Sequence, residues 1–190
     1  GTTLKLNIAL DRLPVFRCLP EDRGQHRATI HLLPQGPDVI DELRRGFDRV
    51  QAGELAAFPA IEWYTHTAVD ATLQDDRGRH SAAFFVQWVP YELKTGSWDD
   101  EESRYVRRLF DIADSFAPGF SASVVDLLAL TPKKIEQRFG MTYGHIHHVD
   151  NTFGFDQRMP YATPVDGLYS CSAGCHPAGS VIGAAGYVAA

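Results

Sequence analysis

The sequence contains no apolar run long enough to cross a membrane and no concentrated block of basic residues. Runs such as Val124–Leu130 fall far short of the roughly 20 residues that a transmembrane helix needs. The 18 lysines and arginines are dispersed among 24 acidic residues, and the formal net charge is −6. Because nucleic acids are bound by basic residues gathered on one surface, we expect neither a nucleic-acid partner nor a membrane span.

Cysteine is also scarce. Cys18, Cys171 and Cys175 are an odd number in a chain of 190 residues, so they do not suggest a disulfide framework. The sequence shows no signal-peptide pattern either. These features predict a cytoplasmic protein, and the length suits a single core.

The two ends of the chain carry few start or stop signals. The chain begins at Gly1 rather than at methionine, and it ends at Ala190 within a helical pattern of small residues that has no C-cap. Both ends therefore predict a fragment of something longer.

Charged residues become rare after residue 140. The last 50 residues hold seven of the 16 glycines and four of the eight histidines, but the only charged residues among them are Asp150, Asp156, Arg158 and Asp166. Such a stretch suits backbone that approaches another group closely. We therefore predict two regions, residues 1–140 and residues 141–190.

Hydrophobic periodicity predicts both strands and helices. Alternating apolar residues predict strands at residues 3–10, 61–68 and 82–89. Apolar residues on one face, together with end signals, predict helices at residues 37–51, 99–116 and 131–140. Because strands and helices interleave without a βαβ rhythm, we predict an α+β fold with a mixed or antiparallel sheet and packed helices.

The most informative stretch is GLYSCSAGCHPAGSVIGAAGYVAA, residues 167–190. We expect residues 168–172 to form a buried strand, the next residues a tight loop, and Ser180 onward a helix. Such a loop presents backbone N–H donors, and a helix N-terminus adds about half a positive charge, so the unit can bind an anion. The glycines can equally serve only to pack the helix against a sheet, and composition leaves both interpretations open.

This stretch resembles the C-terminal signature of phytoene-desaturase-like FAD oxidoreductases, within the flavin amine oxidase superfamily. In that family the corresponding glycine-rich run lies against the flavin. The segments FVQWVPYEL (85–93), FAPGFSASVVDLLALTPKKIEQRFG (116–140) and GHIHHVD (144–150) also resemble this family, and in particular the group named after pyridine nucleotide-disulfide oxidoreductase domains.

The resemblance implies that nine residues contact the flavin of FAD. These are Gly174, Cys175, His176, Pro177, Gly179, Ser180, Val181, Ile182 and Gly183. The first four would form the turn beside the flavin ring, the next two would be the closest backbone approach, and the last three would start a helix aimed at the ring. A helix N-terminus there would stabilise the negative charge of reduced flavin. Residues 1–140 would belong to the substrate-binding half.

The sequence departs from the family pattern in two respects and lacks one motif. Ala178-Gly179-Ser180 stands where the family has three glycines, and Tyr187-Val188 replaces an Arg-Asn pair. The dinucleotide fingerprint G-x-G-x-x-G does not occur, so the N-terminal dinucleotide-binding half is missing. We therefore expect the fragment alone to be inactive and not to retain FAD.

Three histidines, His145, His147 and His148, suggest a second kind of site. A metal-dependent hydrolase could use such a cluster, but no CxxC, HExxH or closely spaced carboxylate accompanies it, so we predict no metal site. His148 is our candidate for a catalytic or substrate-orienting residue, because the resembling family often carries a histidine there. The alternative is a histidine that is hydrogen-bonded in a buried turn.

The resemblance implies hydride transfer from a small, apolar or amphipathic organic substrate to FAD. A non-catalytic binding or oligomerisation module is the main alternative, since apolar surface left by a missing half would favour a homo-oligomer. The metal-dependent hydrolase is the third hypothesis.

Overall fold

Five strands form one antiparallel sheet in the computed structural model, which describes residues 2–150, 152–178 and 182–190. The strands are β1 Thr3–Leu10, β2 Ile30–Leu32, β3 Ala60–Thr65, β4 His80–Gln87 and β5 Val124–Leu130. Their order across the sheet is β2-β3-β4-β1-β5, and every neighbouring pair is antiparallel. The predicted α+β class, with an antiparallel sheet and packed helices, is confirmed.

The helices follow the signals that the sequence carries. Within the described residues they are α1 Val39–Gln51, α2 Trp98–Phe116, α3 Phe120–Ser123, α4 Pro132–Phe139 and α5 Ala184–Ala189. The Ser97 side chain accepts a hydrogen bond from the Asp100 N–H at the start of α2, and Thr131 caps α4 in the same way. The three predicted helices are confirmed to within two residues at each end. In the described part of the chain, no helix combines the length and apolarity needed to cross a membrane.

An aromatic cluster holds the sheet to the segment that contains α2 and α3. Trp63 of β3 is fully buried. Its ring centroid lies 5.2 Å from that of Phe16, 4.9 Å from that of Phe84 and 4.6 Å from that of Phe120, each in an edge-on arrangement. Leu109 of α2 is buried in the same cluster. Packing of this kind is the main favourable term in folding, so the position of α2 and α3 depends on these rings.

The period of two in β1 gives the sheet two unlike faces. The residues that enter the core are at most 3% exposed, and they are Leu4, Leu6, Ile8 and Leu10. The alternate residues Lys5, Asn7 and Ala9 lie on the other side and are only partly buried. We call this side the open face. It comprises Lys5, Asn7 and Ala9 of β1, Ser81, Ala83, Phe85 and Gln87 of β4, and Glu62 and Tyr64 of β3.

The predicted strand at residues 168–172 is wrong. This segment forms only an isolated bridge between Tyr169 and Ala162, and Leu168 and Tyr169 are 55% and 59% exposed. A strand needs a neighbour with free backbone groups, and residues 159–162 offer only single bridge positions. The last helix also begins at Ala184, later than predicted; Ser180 lies outside the described residues.

Helix α1 lies where the sequence predicts it, yet its apolar residues are not buried. Ile40 is 62% exposed and Phe47 is 39% exposed, and no residue of α1 counts as buried. The Phe47 ring packs edge-on against Trp88, with centroids 5.3 Å apart. The apolar periodicity therefore predicts the helix correctly. It does not predict whether another part of the described chain covers the apolar face of that helix.

Replacing the central core residue should destabilise the whole fold. We expect Trp63→Ala to lower the free energy of unfolding by about 3–5 kcal/mol, because it opens a cavity among three aromatic rings. Val69→Ala is the control, since Val69 is 72% exposed, and it should change stability by no more than about 0.5 kcal/mol. Urea titration followed by circular dichroism measures both, and equal effects would contradict the packing described.

Candidate functional site

The C-terminal turn is built around Cys175. This side chain is fully buried, and its Sγ lies 3.1 Å from Ser170 Oγ. The Cys175 N–H donates to the Ser172 carbonyl at 3.0 Å, and the Ala178 N–H donates to the Cys175 carbonyl at 2.7 Å. The chain therefore makes two consecutive hydrogen-bonded turns from Ser172 to Ala178. Cys175 is packed there as a small buried residue.

A second segment, residues 155–161, holds this turn from outside. The Met159 N–H donates to the Gly174 carbonyl at 3.2 Å. The Tyr161 hydroxyl donates to the carbonyl of His176, which precedes Pro177 in a cis peptide bond. The Phe155 and His176 rings also meet edge-on, with centroids 4.6 Å apart. These contacts give the turn a defined backbone even though no sheet supports it.

A cavity of about 200 Å³ lies between this turn and α5. It is lined by Cys171, Ser172, Ala173, Ala178, Ile182, Gly183, Ala184, Ala185 and Gly186. Most of these side chains are small, and Gly183 has a φ of 69° with nothing within 4 Å of the place where a Cβ would stand. The walls are therefore largely backbone, so a flat group can approach them closely.

The structure brings together part of the predicted flavin site. Ile182 and Gly183 line the cavity, and Gly174, Cys175, His176 and Pro177 form the turn next to it. The predicted contacts Gly179, Ser180 and Val181 lie outside the described residues. The role of all nine residues in cofactor binding stays a prediction.

The predicted histidine cluster is close in space but is not arranged as a metal site. The His145 and His147 ring centroids are 5.7 Å apart, and His145 Nε2 lies 3.5 Å from Asp150 Oδ2. Hydrogen bonds from Thr152 lower the pKa of Asp150 to about 2. Among residues 2–150, 152–178 and 182–190, no group of three or more metal-binding side chains is placed to hold an ion. The hydrolase hypothesis therefore gains no support.

His148 is an exposed residue in a tight turn. Its φ is 60°, and its N–H donates to the His145 carbonyl at 3.0 Å. The alternative prediction placed this histidine in a buried turn. That prediction is wrong about burial, because His148 is exposed. No described contact of its side chain tests the catalytic role of His148, which stays a prediction.

The open face carries polar groups that the sequence analysis did not identify. Glu62 of β3 accepts hydrogen bonds on both carboxylate oxygens, one from the Tyr64 hydroxyl and one from Gln87 Nε2 at 2.6 Å. Burial and this bond to Glu62 raise the pKa of Tyr64 to about 12. The three residues come from β3 and β4, whose antiparallel pairing brings them together. Alternation within each strand could have suggested a shared face, but not this register.

Lys5 lies beside this group on β1. Its ammonium nitrogen is 5.0 Å from the centroid of the Tyr64 ring and 6.0 Å from that of the Phe85 ring. It forms no hydrogen bond or ion pair with any residue that the structure describes. Burial lowers the pKa of Lys5, and the negative charge of Glu62 partly offsets the effect.

A second cavity, of about 400 Å³, lies at the end of the open face near β3. It is lined by His26, Arg27, Ala28, Thr29, Tyr64, Thr65, His66, Val69, Asp70 and Leu73. His26 is 5% exposed, and its Nδ1 has no hydrogen-bond partner in the described residues. His66 Nδ1 lies 3.4 Å from Ser81 Oγ. These histidines are 40 residues apart in sequence, so only the fold brings them to one cavity.

Two curated proteins that are similar to this chain are named after an oxidoreductase domain. The chain is 36% identical over 200 aligned positions to pyridine nucleotide-disulfide oxidoreductase domain-containing protein 2 of Rattus norvegicus, and 35% identical over 200 positions to the protein of that name from Mus musculus. This similarity supports the resemblance to the group named after pyridine nucleotide-disulfide oxidoreductase domains. Each alignment covers 98% of this chain and 34% of the relative. No family model matches the chain.

The similarity covers only part of each relative's length. The chain spans about a third of the length of these curated relatives. The alignment nevertheless includes both the sheet and the glycine-rich turn, since it runs over nearly the whole chain. The two candidate surfaces, the C-terminal turn and the open face, thus belong to one continuous region of similarity.

The two histidines that line the second cavity, His26 and His66, should make folding stability depend on pH. Burial is the main cause that lowers the pKa of both His26 and His66 from the usual 6.5. Both states are neutral above that value, whereas below it the unfolded chain binds protons that the folded chain resists. The free energy of unfolding should therefore fall as pH falls through 6.5 toward the lower folded-state values.

His26→Gln should reduce this pH dependence. Urea midpoints measured between about pH 8 and about pH 5 give the slope, and the exposed His31→Gln serves as the control. The expected result is a shallower slope in His26→Gln alone. A slope unchanged from that of the parent chain would show that His26 is protonated as easily in the folded chain as in the unfolded one.

Proposed function

We propose that this chain is the C-terminal part of an FAD-dependent oxidoreductase of the dehydrogenase or desaturase type. In this proposal residues 141–190 contribute to the flavin side of the active site, and residues 1–140 contribute to the substrate side. The reaction would move a hydride from a small organic substrate to the flavin. The N-terminal dinucleotide-binding half would come from outside this chain.

The observation that carries the proposal is the small-residue cavity beside the C-terminal turn. Its walls combine Gly183 and Gly186 with alanine and serine side chains, so backbone is exposed where a flat ring could approach. The same segment is the one that resembles the flavin-facing run of the family. Similarity to proteins named after an oxidoreductase domain also supports the proposal.

The size of the cavity decides how much of the cofactor these residues can hold. A volume of about 200 Å³ is below the roughly 300–1,000 Å³ of pockets that enclose a complete ligand. The residues present therefore fit one edge of a flavin and not a whole FAD molecule. Flavin, when bound, would supply the redox chemistry.

The chain's own residues would position and shield that edge. Ile182 and Gly183 would contact it, while the buried Cys175 and the hydroxyl of Tyr161 hold the turn in place. Gly179, Ser180 and Val181 complete the proposed contact set by their position in the sequence. His148 is proposed to orient the substrate or to exchange a proton with it.

A non-catalytic assembly module is the second candidate function. The exposed apolar residues of α1, including Ile40 and Phe47, favour it because such a stripe is ordinarily covered. Formation of a homodimer without any bound cofactor would support this alternative over the oxidoreductase.

The oxidoreductase proposal is tested by loading with flavin. The open reading frame that contains this chain should yield a protein with bound FAD, measured by flavin absorbance and by the fluorescence of released cofactor. Gly183→Leu should reduce FAD occupancy at least about tenfold, because its side chain would fill a cavity only one ring edge wide.

Gly140→Leu is the matched control for this experiment. Gly140 has a φ of 67°, close to the 69° of Gly183, and it too has nothing within 4 Å of its Cβ position. Both variants carry the same backbone strain. A loss of FAD in Gly183→Leu alone would therefore come from the position of Gly183 at the cavity and not from strain. A colourless parent protein, or equal occupancy in both variants, would reject the proposal.

A further inference from the structure

A buried histidine at the second cavity has no described partner on either ring nitrogen. His26 is 5% exposed, and its Nδ1 is sealed from solvent without a hydrogen bond. No described residue bonds to its Nε2 either, and this atom is not sealed. The accessible remainder of the residue, which includes Nε2, therefore faces the cavity that His26 lines. Buried polar side chains are normally satisfied, so these two free nitrogens call for a partner.

The packing around His26 leaves the cavity as the route to its ring. The Phe16 ring lies 5.6 Å from the imidazole between centroids, and Phe16 is buried in the hydrophobic core. The backbone of His26 is held in a single 3₁₀ turn, Gln25–Arg27. Because the core closes one side of the imidazole, a ligand can reach Nε2 only from the cavity.

The sealed nitrogen decides which tautomer is favoured. A neutral imidazole has one N–H donor and one bare acceptor nitrogen. Among buried backbone groups, an N–H without an acceptor is rarer than a carbonyl without a donor, and we apply the same preference to the ring. The favoured tautomer then has a bare Nδ1 and carries its N–H on Nε2. Burial lowers the pKa of His26, which keeps the ring neutral at neutral pH.

Other polar groups at this cavity already have partners. The Tyr64 hydroxyl donates to Glu62. The Asp70 carboxylate accepts hydrogen bonds from the N–H of Thr72 at 2.9 Å and from its hydroxyl at 2.6 Å. These groups have less to offer a ligand than the free N–H of His26.

The size and charge of the cavity suit a small neutral molecule. Its volume of about 400 Å³ falls within the roughly 300–1,000 Å³ of ligand pockets. The Tyr64 ring and the exposed Leu73 give it apolar walls. Arg27 and Asp70 are the oppositely charged residues of the lining, so their charges balance. Such walls favour an uncharged ligand with few polar groups.

We propose that this cavity binds a small neutral molecule that has an apolar body and one carbonyl group, whose oxygen accepts a hydrogen bond from Nε2 of His26. The apolar body lies against the Tyr64 ring and Leu73. Binding requires no flavin, so the site does not rest on the proposed oxidoreductase function. Its lining also shares no residue with that of the cavity beside Gly183.

The test uses acetophenone as the probe and α-methylstyrene as its counterpart, in which a CH₂ group replaces the carbonyl oxygen. Each compound is titrated into the isotopically labelled chain in alkaline buffer, where histidine is neutral. The amide signals of Ala28 and Leu73, which line the cavity, are followed by nuclear magnetic resonance. We expect saturable shifts with both compounds, because both carry the apolar body.

His26→Phe keeps a ring but removes the donor. It should weaken acetophenone binding at least about fivefold and change α-methylstyrene binding less than about twofold, because only acetophenone loses a hydrogen bond. His26→Gln retains an N–H donor and should bind acetophenone within about threefold of the parent chain. It also guards against a folding defect in His26→Phe. His31→Phe is the control, since His31 is exposed and does not line the cavity, and it should bind both compounds as the parent chain does.

The ring nitrogens of His26 give a second measurement that needs no variant. Long-range ¹H–¹⁵N spectra distinguish the two tautomers, and we expect the proton on Nε2, with a ¹⁵N shift of that nitrogen when acetophenone is added. A proton on Nδ1 would overturn the proposal, because Nε2 would then have no hydrogen to donate.

Two further results would reject the carbonyl site: no saturable shift with acetophenone, or equal acetophenone affinity of the parent chain and His26→Phe. Neither result bears on the flavin experiment, which reports on Gly183. A parent protein that holds FAD but whose chain ignores acetophenone would reject the carbonyl site alone. A chain that binds acetophenone through His26 within a colourless parent protein would keep the carbonyl site and reject the oxidoreductase.

Discussion

The alternation of β1 is the constraint on which the rest of this structure depends. Leu4, Leu6 and Ile8 can enter the core only if Lys5 and Asn7 point the other way, because successive side chains of a strand leave opposite faces. Each fully buried aliphatic side chain contributes about 1.5–3 kcal/mol, so the core side decides the register. This register also fixes the direction in which the polar side chains of β1 point. As a consequence of how the core is packed, Lys5 lies over the rings of Tyr64 and Phe85 and forms no ion pair with a described residue.

The C-terminal region is organised by a different principle. Its backbone is not paired in the sheet. Around the buried Cys175, backbone groups form hydrogen bonds within local turns instead of with a neighbouring strand. Met159 and Tyr161 hold these turns through single hydrogen bonds to backbone carbonyls. Such a segment can present exposed backbone to a ligand, whereas a strand would already have used its donors and acceptors. This difference suits the proposed division into a substrate side and a flavin side.

The two surfaces also differ in what each would contribute to a reaction. The open face carries the polar group of Lys5, Glu62, Tyr64 and Gln87 on paired strands. The cavity beside Gly183 is lined mainly by backbone and small side chains. Such a lining suits the proposed flavin, whose ring would itself supply the redox chemistry. The apolar stripe of α1 is exposed in the described chain, which spans about a third of the length of its curated relatives.

Local signals in the sequence were enough for the helices, for β1 and for the α+β class, because capping residues and apolar periods act over a few positions. They also marked the glycine-rich turn, although residues 168–172 failed as a strand since a strand exists only with a neighbour. The sequence could not reveal the group of Lys5, Glu62, Tyr64 and Gln87, whose members come from three strands. The antiparallel pairing of β1 and β3 with β4 brings them together, and that long-range register is decided only in the tertiary structure.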